Sequence, residues 1–366
     1  MLRLLDADLL CTRIFDVADT ISLEGCRALI SRGGAEIRRL SLRREGSEFI
    51  QLSDPPLLVD LGNRPLVVQL VSREVKVSAA LFHHGAISIS VRMPVPGGTS
   101  IDELIPVADE LYDSKFIDAL ALEEVTKLRK LLEPHFEKPH LWDQTEGYSV
   151  ILVRELEGKP NAEQVLAAPG LARLLLGEKE TLSVAEEREV LAHHFSYTPC
   201  DLAIVEWNAS FVYEPSGSED IVDLLEIANA QLLELRYYDA VLDAELSRMY
   251  DVIGHRPPSL LFSPYKRLAR ELMKTLLELS EFIERVENSL KIVGDVYLAR
   301  VYEGALKELR ISRWSEAVTR KHRLLQQTYG LLKGETDTGR ALTLETMVVV
   351  LILFEILMAL FRVGGH

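Results

Sequence analysis

The side chains best suited to binding a small molecule cluster in one stretch of the chain, around Trp207, Asn229 and Arg236. Trp207 lies in an apolar run, 202–212, that predicts a long strand closing a sheet, and the other two lie on the helix that follows. An indole ring, an amide and a guanidinium can together bind a polar ligand where a helix meets a sheet. Packing between two domains explains the same pattern and is the interpretation we favour, with a ligand site at this junction as the alternative.

Candidate catalytic groups do not assemble into a known motif. The pairs His83-His84 and His193-His194 are adjacent in sequence, so on a strand their side chains point to opposite faces and cannot share one metal. Gly33-Gly34 and Gly97-Gly98 lack the further glycines and the lysine of a phosphate-binding loop. We therefore predict no metal, no cofactor and no enzymatic activity.

The most basic segment of the chain comprises Arg310, Arg313, Arg320, Lys321 and Arg323. Such a segment suits anionic lipid headgroups or RNA phosphates. A solvated helix face offset by acidic neighbours explains it equally well. The chain has 56 acidic residues against 41 Lys and Arg and a net charge of −15, which repels a phosphate backbone, so DNA is not an expected partner.

The chain ends in an apolar stretch that predicts a helix unable to remain alone in water. Its main members are Met347, Leu351, Phe354, Glu355, Met358 and Phe361. From Met347 to Phe361 such a helix is about 22 Å long, against roughly 30 Å for the hydrocarbon core of a bilayer. We expect either a marginal membrane anchor, with the bulk of the chain cytoplasmic, or a helix buried in an oligomer. Glu355 leaves open a third role, in ion or proton passage.

The elements that must position these groups indicate an α+β fold in three parts. Residues 1–217 are expected to form a mixed α/β sheet domain, in which Val75 to Val91 reads as a β-hairpin and Thr99 or Ser100 caps the next helix. Residues 218–339 are expected to form a long antiparallel, coiled-coil-like helical arm, because leucines recur at steps of three and four between 268 and 293. Residues 340–366 carry the apolar helix. The leucine repeat and the apolar helix both predict a homo-oligomer.

The order of these elements resembles the required-for-meiotic-nuclear-division (YagE) family, in its bacterial form. The residues that carry the resemblance are the strand 203–208, the helix 223–238, the helices after it and the terminal helix containing Glu355. The resemblance implies a membrane-associated homo-oligomeric scaffold, with tethering of ribosomes or RNA at a membrane as a role. It implies no catalytic residues. An oligomeric channel that uses Glu355, and an enzyme or ligand-binding module at the domain junction, are the alternatives.

Overall fold

A computed structural model describes residues 2–32, 36–40, 54–65, 74–112, 114–255, 273–274, 276–277, 280, 296–330 and 348–352. The chain divides into two compact units. The first comprises Met1–Tyr237 with Ser289–Trp314, and the second comprises Tyr238–Asn288 with Ser315–His366. The first unit contains the sheet and the candidate site.

The first unit is built on one large sheet, whose strands in the described residues run in the order β10-β11-β12-β9-β1-β6-β5-β4-β3, with β7 beside β1. The strands are β1 (Arg3–Asp16), β3 (Ile37–Arg39), β4 (Leu57–Pro65), β5 (Glu74–Leu81), β6 (Ala86–Val95), β7 (Thr99–Ser100), β9 (Thr145–Leu156), β10 (His194–Phe195), β11 (Leu202–Val205) and β12 (Ala209–Tyr213). A small separate ladder joins β2 (Thr20–Ile21) to β8 (Phe136–Glu137). The β9–β12 pair is parallel and the other pairs are antiparallel, so the sheet is mixed.

Among the described residues, the helices whose two ends are both described and that have fewer than twenty residues include α1 (Leu23–Arg32), α2 (Ile101–Tyr112), α3 (Lys115–Leu132), α4 (Ala162–Leu166), α5 (Leu171–Leu176), α6 (Val184–Val190) and α8 (Val296–Glu308). A much longer helix, α7, spans Asp220–His255, and residues 311–330 are also helical. Helices α2, α3 and α5 pack on one face of the sheet and share its main apolar core. The α+β class with an N-terminal mixed sheet, predicted from the sequence, is confirmed.

Local sequence explains the hairpin and the first long helix. Strands β5 and β6 pair antiparallel from Leu81↔Ile87 to Lys76↔Arg92, as the alternating apolar residues predict. Ser100 then caps α2 in a reciprocal box. Its backbone N–H and its hydroxyl donate to a Glu103 carboxylate oxygen, at 2.7 and 2.9 Å, and its hydroxyl oxygen accepts from the Glu103 N–H at 3.4 Å.

The first half of α7 lies along the other, more polar face of the sheet. Glu219, just before α7, forms a two-pronged ion pair with Arg92 of β6, both distances being 2.7 Å, and Arg92 also contacts Asp8 of β1 at 3.2 Å. Further along α7, Gln231 accepts a hydrogen bond of 2.7 Å from the buried Tyr302 hydroxyl of α8. These contacts fix α7 and α8 relative to the strands that carry the candidate site.

The closing strand predicted over 202–212 is instead a hairpin. Strands β11 and β12 pair antiparallel through Leu202↔Tyr213 and Val205↔Ser210, and Trp207 lies in the turn between them. Apolar content alone did not predict the turn. The residues before it, 203–205, and those after it, 209–213, are all buried, so the two short strands have the pattern of one long strand. Trp207 is therefore presented at the end of the sheet instead of on one of its faces.

The predicted terminal helix is described only at residues 348–352, which are helical. All five side chains, including Leu351, are at least half exposed. Met347, Phe354, Glu355, Met358 and Phe361 lie outside the described residues, as does most of the predicted leucine repeat. Within the part of the chain that the structure describes, no helix has the length and apolarity needed to cross a bilayer. The prediction of a transmembrane helix is corrected accordingly, since the described residues contain none.

Candidate functional site

A cleft of about 500 Å³ opens at the end of the sheet where β9 begins, beside the β11–β12 turn. Its walls come from β1, β9, the ends of α2 and α3, α7, and the start of helix 311–330. The lining residues are Arg13, Tyr112, Asp118, Thr145, Glu146, Gly147, Tyr148, Ser149, Trp207, Asn208, Arg236 and Trp314. We call it the junction cleft.

Arg13 is a charged residue within an otherwise apolar part of β1, and more than nine-tenths of its surface is buried. Its Nε donates to Asp118 of α3 at 2.6 Å and its Nη1 donates to the carbonyl oxygen of Thr12 at 3.0 Å. Its cross-strand neighbour on β9 is Gly147, and a Cβ there would approach the guanidinium to 3.1–3.4 Å. The missing side chain at Gly147 is what leaves room for Arg13.

Glu146 points to the face of β9 opposite to that of Gly147, because the side chains of successive strand residues alternate between the two faces. It is also more than nine-tenths buried and forms an ion pair with Arg236 of α7, whose Nη2 donates to the side chain of Gln144 at 3.1 Å. Burial raises the pKa of the Glu146 carboxyl, and the charge of Arg236 offsets this only in part. The start of β9 therefore contributes the Glu146 carboxylate on one face, and on the other face Gly147 leaves space for the Arg13 guanidinium.

The β11–β12 turn supplies an aromatic wall. The guanidinium of Arg310 lies over the Trp207 ring, 5.2 Å from its centre, a cation–π arrangement. Arg310 lies between α8 and helix 311–330 and has a positive φ of 52°, which is uncommon for a residue with a side chain. The N–H of Trp314 donates to the Arg310 carbonyl at 3.3 Å, so this turn positions both Arg310 and Trp314 near the cleft.

The floor of the cleft is fixed by Tyr148. Its buried hydroxyl lies 2.9 Å from the Glu206 carbonyl and 3.0 Å from the Ala209 carbonyl, which joins β9 to the turn carrying Trp207. Burial raises the pKa of Tyr148, so its hydroxyl stays protonated. On the rim, the Asn208 amide donates to the Tyr112 hydroxyl at 2.6 Å.

The residues predicted for the junction site have different positions in the structure. Trp207 and Arg236 both line the cleft, whereas Asn229 is buried on α7 and its Nδ2 donates to Leu225 O of the same helix at 2.8 Å. The sequence interpretation missed Arg13 and Glu146. An arginine inside a buried strand was the available signal, because such a residue needs a partner that sequence spacing does not identify.

The five residues of the predicted basic segment are divided between the two units and differ in their contacts. Arg310 contacts Trp207, Arg313 and Arg323 are exposed, and Arg320 contacts Glu316 one helical turn away at 3.7 Å. Lys321, in the second unit, bridges Asp239 and Asp243 at 2.7 Å each. At least two of the five positive charges are therefore compensated locally.

A second, strongly acidic cleft of about 830 Å³ lies around the start of α7. Its ionisable lining residues include Asp201, Glu214, Glu219, Asp220 and Asp223, against Arg38. Burial, reinforced by neighbouring carboxylates, raises the pKa of Asp223 well above its ordinary value. Among the described residues, no three His, Cys, Asp or Glu side chains form a group that could hold a metal ion.

Comparison with known proteins identifies a family over the sheet domain. The family described as "Uncharacterized protein MJ0711, N-terminal domain" matches residues 6–219, more than half of the chain. The uncharacterized protein MJ0711 of Methanocaldococcus jannaschii is 26% identical over 196 residues, which are 53% of this chain and 59% of the relative. The chain thus spans less than two thirds of that relative. No solved structure matches. The resemblance to the YagE family is wrong, and the ribosome-tethering role that it implied is withdrawn with it.

Proposed function

Because the chain belongs to the MJ0711 N-terminal domain family, whose description names no activity, we propose a function from geometry: the sheet domain binds a small polar ligand in the junction cleft. One observation carries the proposal. Arg13 and Glu146, each more than nine-tenths buried, both line an open cleft of about 500 Å³. Burying a charged side chain costs free energy unless the charge is paired. A few charged groups placed at the wall of an open cleft are typical of ligand-binding sites.

The cleft supports binding better than catalysis. Both buried charges have partners, Arg13 with Asp118 and Glu146 with Arg236. The Tyr148 hydroxyl is engaged with backbone carbonyls and has a raised pKa. Groups held in this way can orient a ligand by hydrogen bonds, while a general base needs a free acceptor within reach of a substrate proton.

Tryptophan signals provide a direct test, because the chain has three tryptophans and two of them line the cleft. A fragment library is screened against ¹⁵N-labelled protein, and the indole N–H signals of Trp142, Trp207 and Trp314 are assigned with single Phe variants. We expect bound fragments to shift the Trp207 and Trp314 signals and to leave Trp142 unchanged.

Arginine variants supply the matched control. Arg13→Met removes the buried cation of the cleft, whereas Arg188→Met changes an exposed arginine on α6. We expect fragment affinity to fall at least about tenfold for Arg13→Met, because a charge-assisted hydrogen bond contributes about 1.5–3 kcal/mol. Equal affinities for the two variants, or fragments that shift Trp142 alone, would contradict the proposal.

A second candidate is a homo-oligomeric scaffold, in which the predicted coiled-coil-like arm and terminal apolar helix bind other copies of the chain. It is favoured by Val348–Ile352, five consecutive aliphatic helical residues that are all at least half exposed. Light scattering on the full chain and on a Val349→Asp/Leu351→Asp variant tests it. We expect an oligomer that dissociates in the variant, and a monomeric parent protein would exclude this candidate.

A further inference from the structure

The lining of the junction cleft is charge-balanced in an otherwise acidic protein. Among the described lining residues, the guanidinium groups of Arg13 and Arg236 match the carboxylates of Asp118 and Glu146, and Arg310 lies beside the lining, over the Trp207 ring. The whole chain carries −15, and the other large cleft is dominated by carboxylates. Because charges interact over a Debye length of about 10 Å, an anion meets less repulsion at the junction cleft than at the acidic cleft.

Arg310 is the cation with unused binding capacity. Arg13 and Arg236 each pair with a carboxylate, while the contact recorded for the Arg310 side chain within the described residues is the Trp207 ring. A guanidinium has five N–H donors, and stacking over a ring uses its face and leaves its edge free to bind a planar acid. Arg310 is therefore suited to form a two-pronged contact with a carboxylate or phosphate.

The turn at Arg310 determines where its side chain lies. Its φ is left-handed, as it is at Lys138 and Lys159, and its N–H donates to the Lys307 carbonyl at 3.0 Å, so Arg310 ends α8 in a common way. In this position its guanidinium lies over the Trp207 ring, an aromatic wall of the cleft.

Two indole rings define the shape of the ligand. Trp207 and Trp314 both line the cleft, and Tyr112 lies on its rim. Aromatic walls favour flat ring systems through offset stacking and edge contacts. A cleft of about 500 Å³ is within the usual size range of sites for small molecules and cofactors.

We propose that the ligand of the junction cleft is a planar aromatic acid, whose ring packs against Trp207 and Trp314 and whose acid group is bound by Arg310. This inference rests on the proposed binding function and specifies its ligand class. Carboxylic acids and phosphate esters share this chemistry, and the test separates them.

Affinities are measured by ligand-observed NMR and calorimetry on the full chain with two matched sets of probes. The carboxylate set is 2-naphthoate, 2-naphthamide without the charge, and cyclohexanecarboxylate without the flat ring. The phosphate set is AMP, adenosine and ribose 5-phosphate. We expect at least one aromatic acid to bind tenfold or more tightly than both of its partners, and to weaken as salt rises.

Variants at Arg310 test whether its guanidinium binds the acid group. Arg310→Gly removes the guanidinium and also relieves the backbone strain, so it should fold with an unchanged or higher melting temperature while losing tenfold or more in affinity for the acid. Binding of the neutral partner should not change. Arg310→Lys retains the charge and should recover part of the affinity. Arg313→Gln, at an exposed neighbour, should behave as the parent protein.

The outcomes distinguish failure of the acid preference from failure of the proposed binding function. If neutral probes shift the Trp207 and Trp314 signals as strongly as the acids, the cleft binds ligands and the acid preference is wrong. Equal affinity of the parent protein and Arg310→Gly would likewise overturn the role of Arg310. If no probe and no library fragment shifts either tryptophan, the proposed binding function fails as well.

Discussion

Arg13 crosses the sheet over Gly147, its neighbour on the adjacent strand, with the guanidinium 3.1–3.4 Å from where a Cβ would lie. The pair is antiparallel and Arg13 faces α3, where Asp118 accepts its Nε–H. The position of the cation in the cleft therefore depends on the absence of a side chain on a different strand.

Enlarging Gly147 should displace Arg13. Gly147→Ala brings a methyl group to 3.1–3.4 Å from the guanidinium and needs a shift of a few tenths of an ångström, while the two further methyl groups of Gly147→Val crowd the same contact more. We expect Gly147→Val to cost roughly 1–3 kcal/mol, the range for overpacking, and to weaken ligand binding as much as Arg13→Met. Chemical denaturation and titration measure the two effects. A valine variant with unchanged affinity would contradict this arrangement.

The Glu146–Arg236 ion pair should contribute to the free energy of unfolding in a way that depends on both side chains and on pH. Arg236→Met leaves the carboxylate buried without its cation, and we expect it to lower the free energy of unfolding at pH 7 by about 2 kcal/mol. The loss should shrink as pH falls, because a protonated Glu146 no longer needs the cation and its pKa is already raised by burial.

The double variant Glu146→Gln/Arg236→Met completes a thermodynamic cycle for this pair. We expect it to be more stable at pH 7 than Arg236→Met alone, since the unpaired buried charge is gone. Urea unfolding of the parent protein, Glu146→Gln, Arg236→Met and the double variant provides four free energies at each of pH 5 and pH 7. Additive effects at both pH values would show that the two side chains do not interact.

His140 should make stability depend on pH from 6.5 upwards. Its Nε2 lies 2.7 Å from the buried Asp16 carboxylate, its ring stacks on Tyr237, and Asp19 lies 3.9 Å from its Nδ1. Burial opposes its charge, but the hydrogen bond and the charge of Asp16 outweigh that and raise the pKa of His140 above its ordinary value of 6.5. Lys138, which pairs with Asp19, is the neighbouring cation.

A raised histidine pKa stabilises the fold fully below the unfolded value and loses that contribution as pH rises through the folded value. From pH 6.5 upwards we therefore expect the free energy of unfolding to fall by at most about 1.4 kcal/mol per pH unit. His140→Gln should remove this slope. Burial raises the pKa of Asp16 in turn, and this affects stability from its ordinary value of 3.8 upwards. An identical slope in His140→Gln would rule out this pair as the cause.

Gly304 should be required for α8 to approach the sheet edge. A Cβ at Gly304 would overlap the ring of Phe195 on β10, whereas a Cβ at Gly330 would have no other atom within 4 Å. We expect Gly304→Ala to lower the free energy of unfolding by about 1–3 kcal/mol through overpacking. Gly330→Ala, the matched control in helix 311–330, should raise it by up to about 1 kcal/mol through helix propensity. Melting temperatures compare the two variants, and equal effects would contradict the close packing at Gly304.

Much of the sheet domain could be predicted because its signals are local. The alternation on both sides of His83-His84 predicts the β5–β6 hairpin, and a capping residue at Thr99 or Ser100 predicts the start of α2. The candidate site was predictable only in part. The sequence predicted Trp207 and Arg236 as members of a junction site, and both line the cleft. The same reasoning also predicted Asn229, whose side chain donates to a carbonyl of its own helix.

The sequence by itself determined the α+β class, the excess of acidic residues and the elements that follow local periodicity, because propensity, capping and net charge depend on nearby residues or on composition. Only the tertiary structure decided that Arg13 is accommodated by Gly147, which lies 134 positions later in the chain. It also brought Arg310 onto Trp207 and Arg236 onto Glu146. Strand register and helix placement create these contacts, and both are set by burial over the whole domain, which no local pattern encodes.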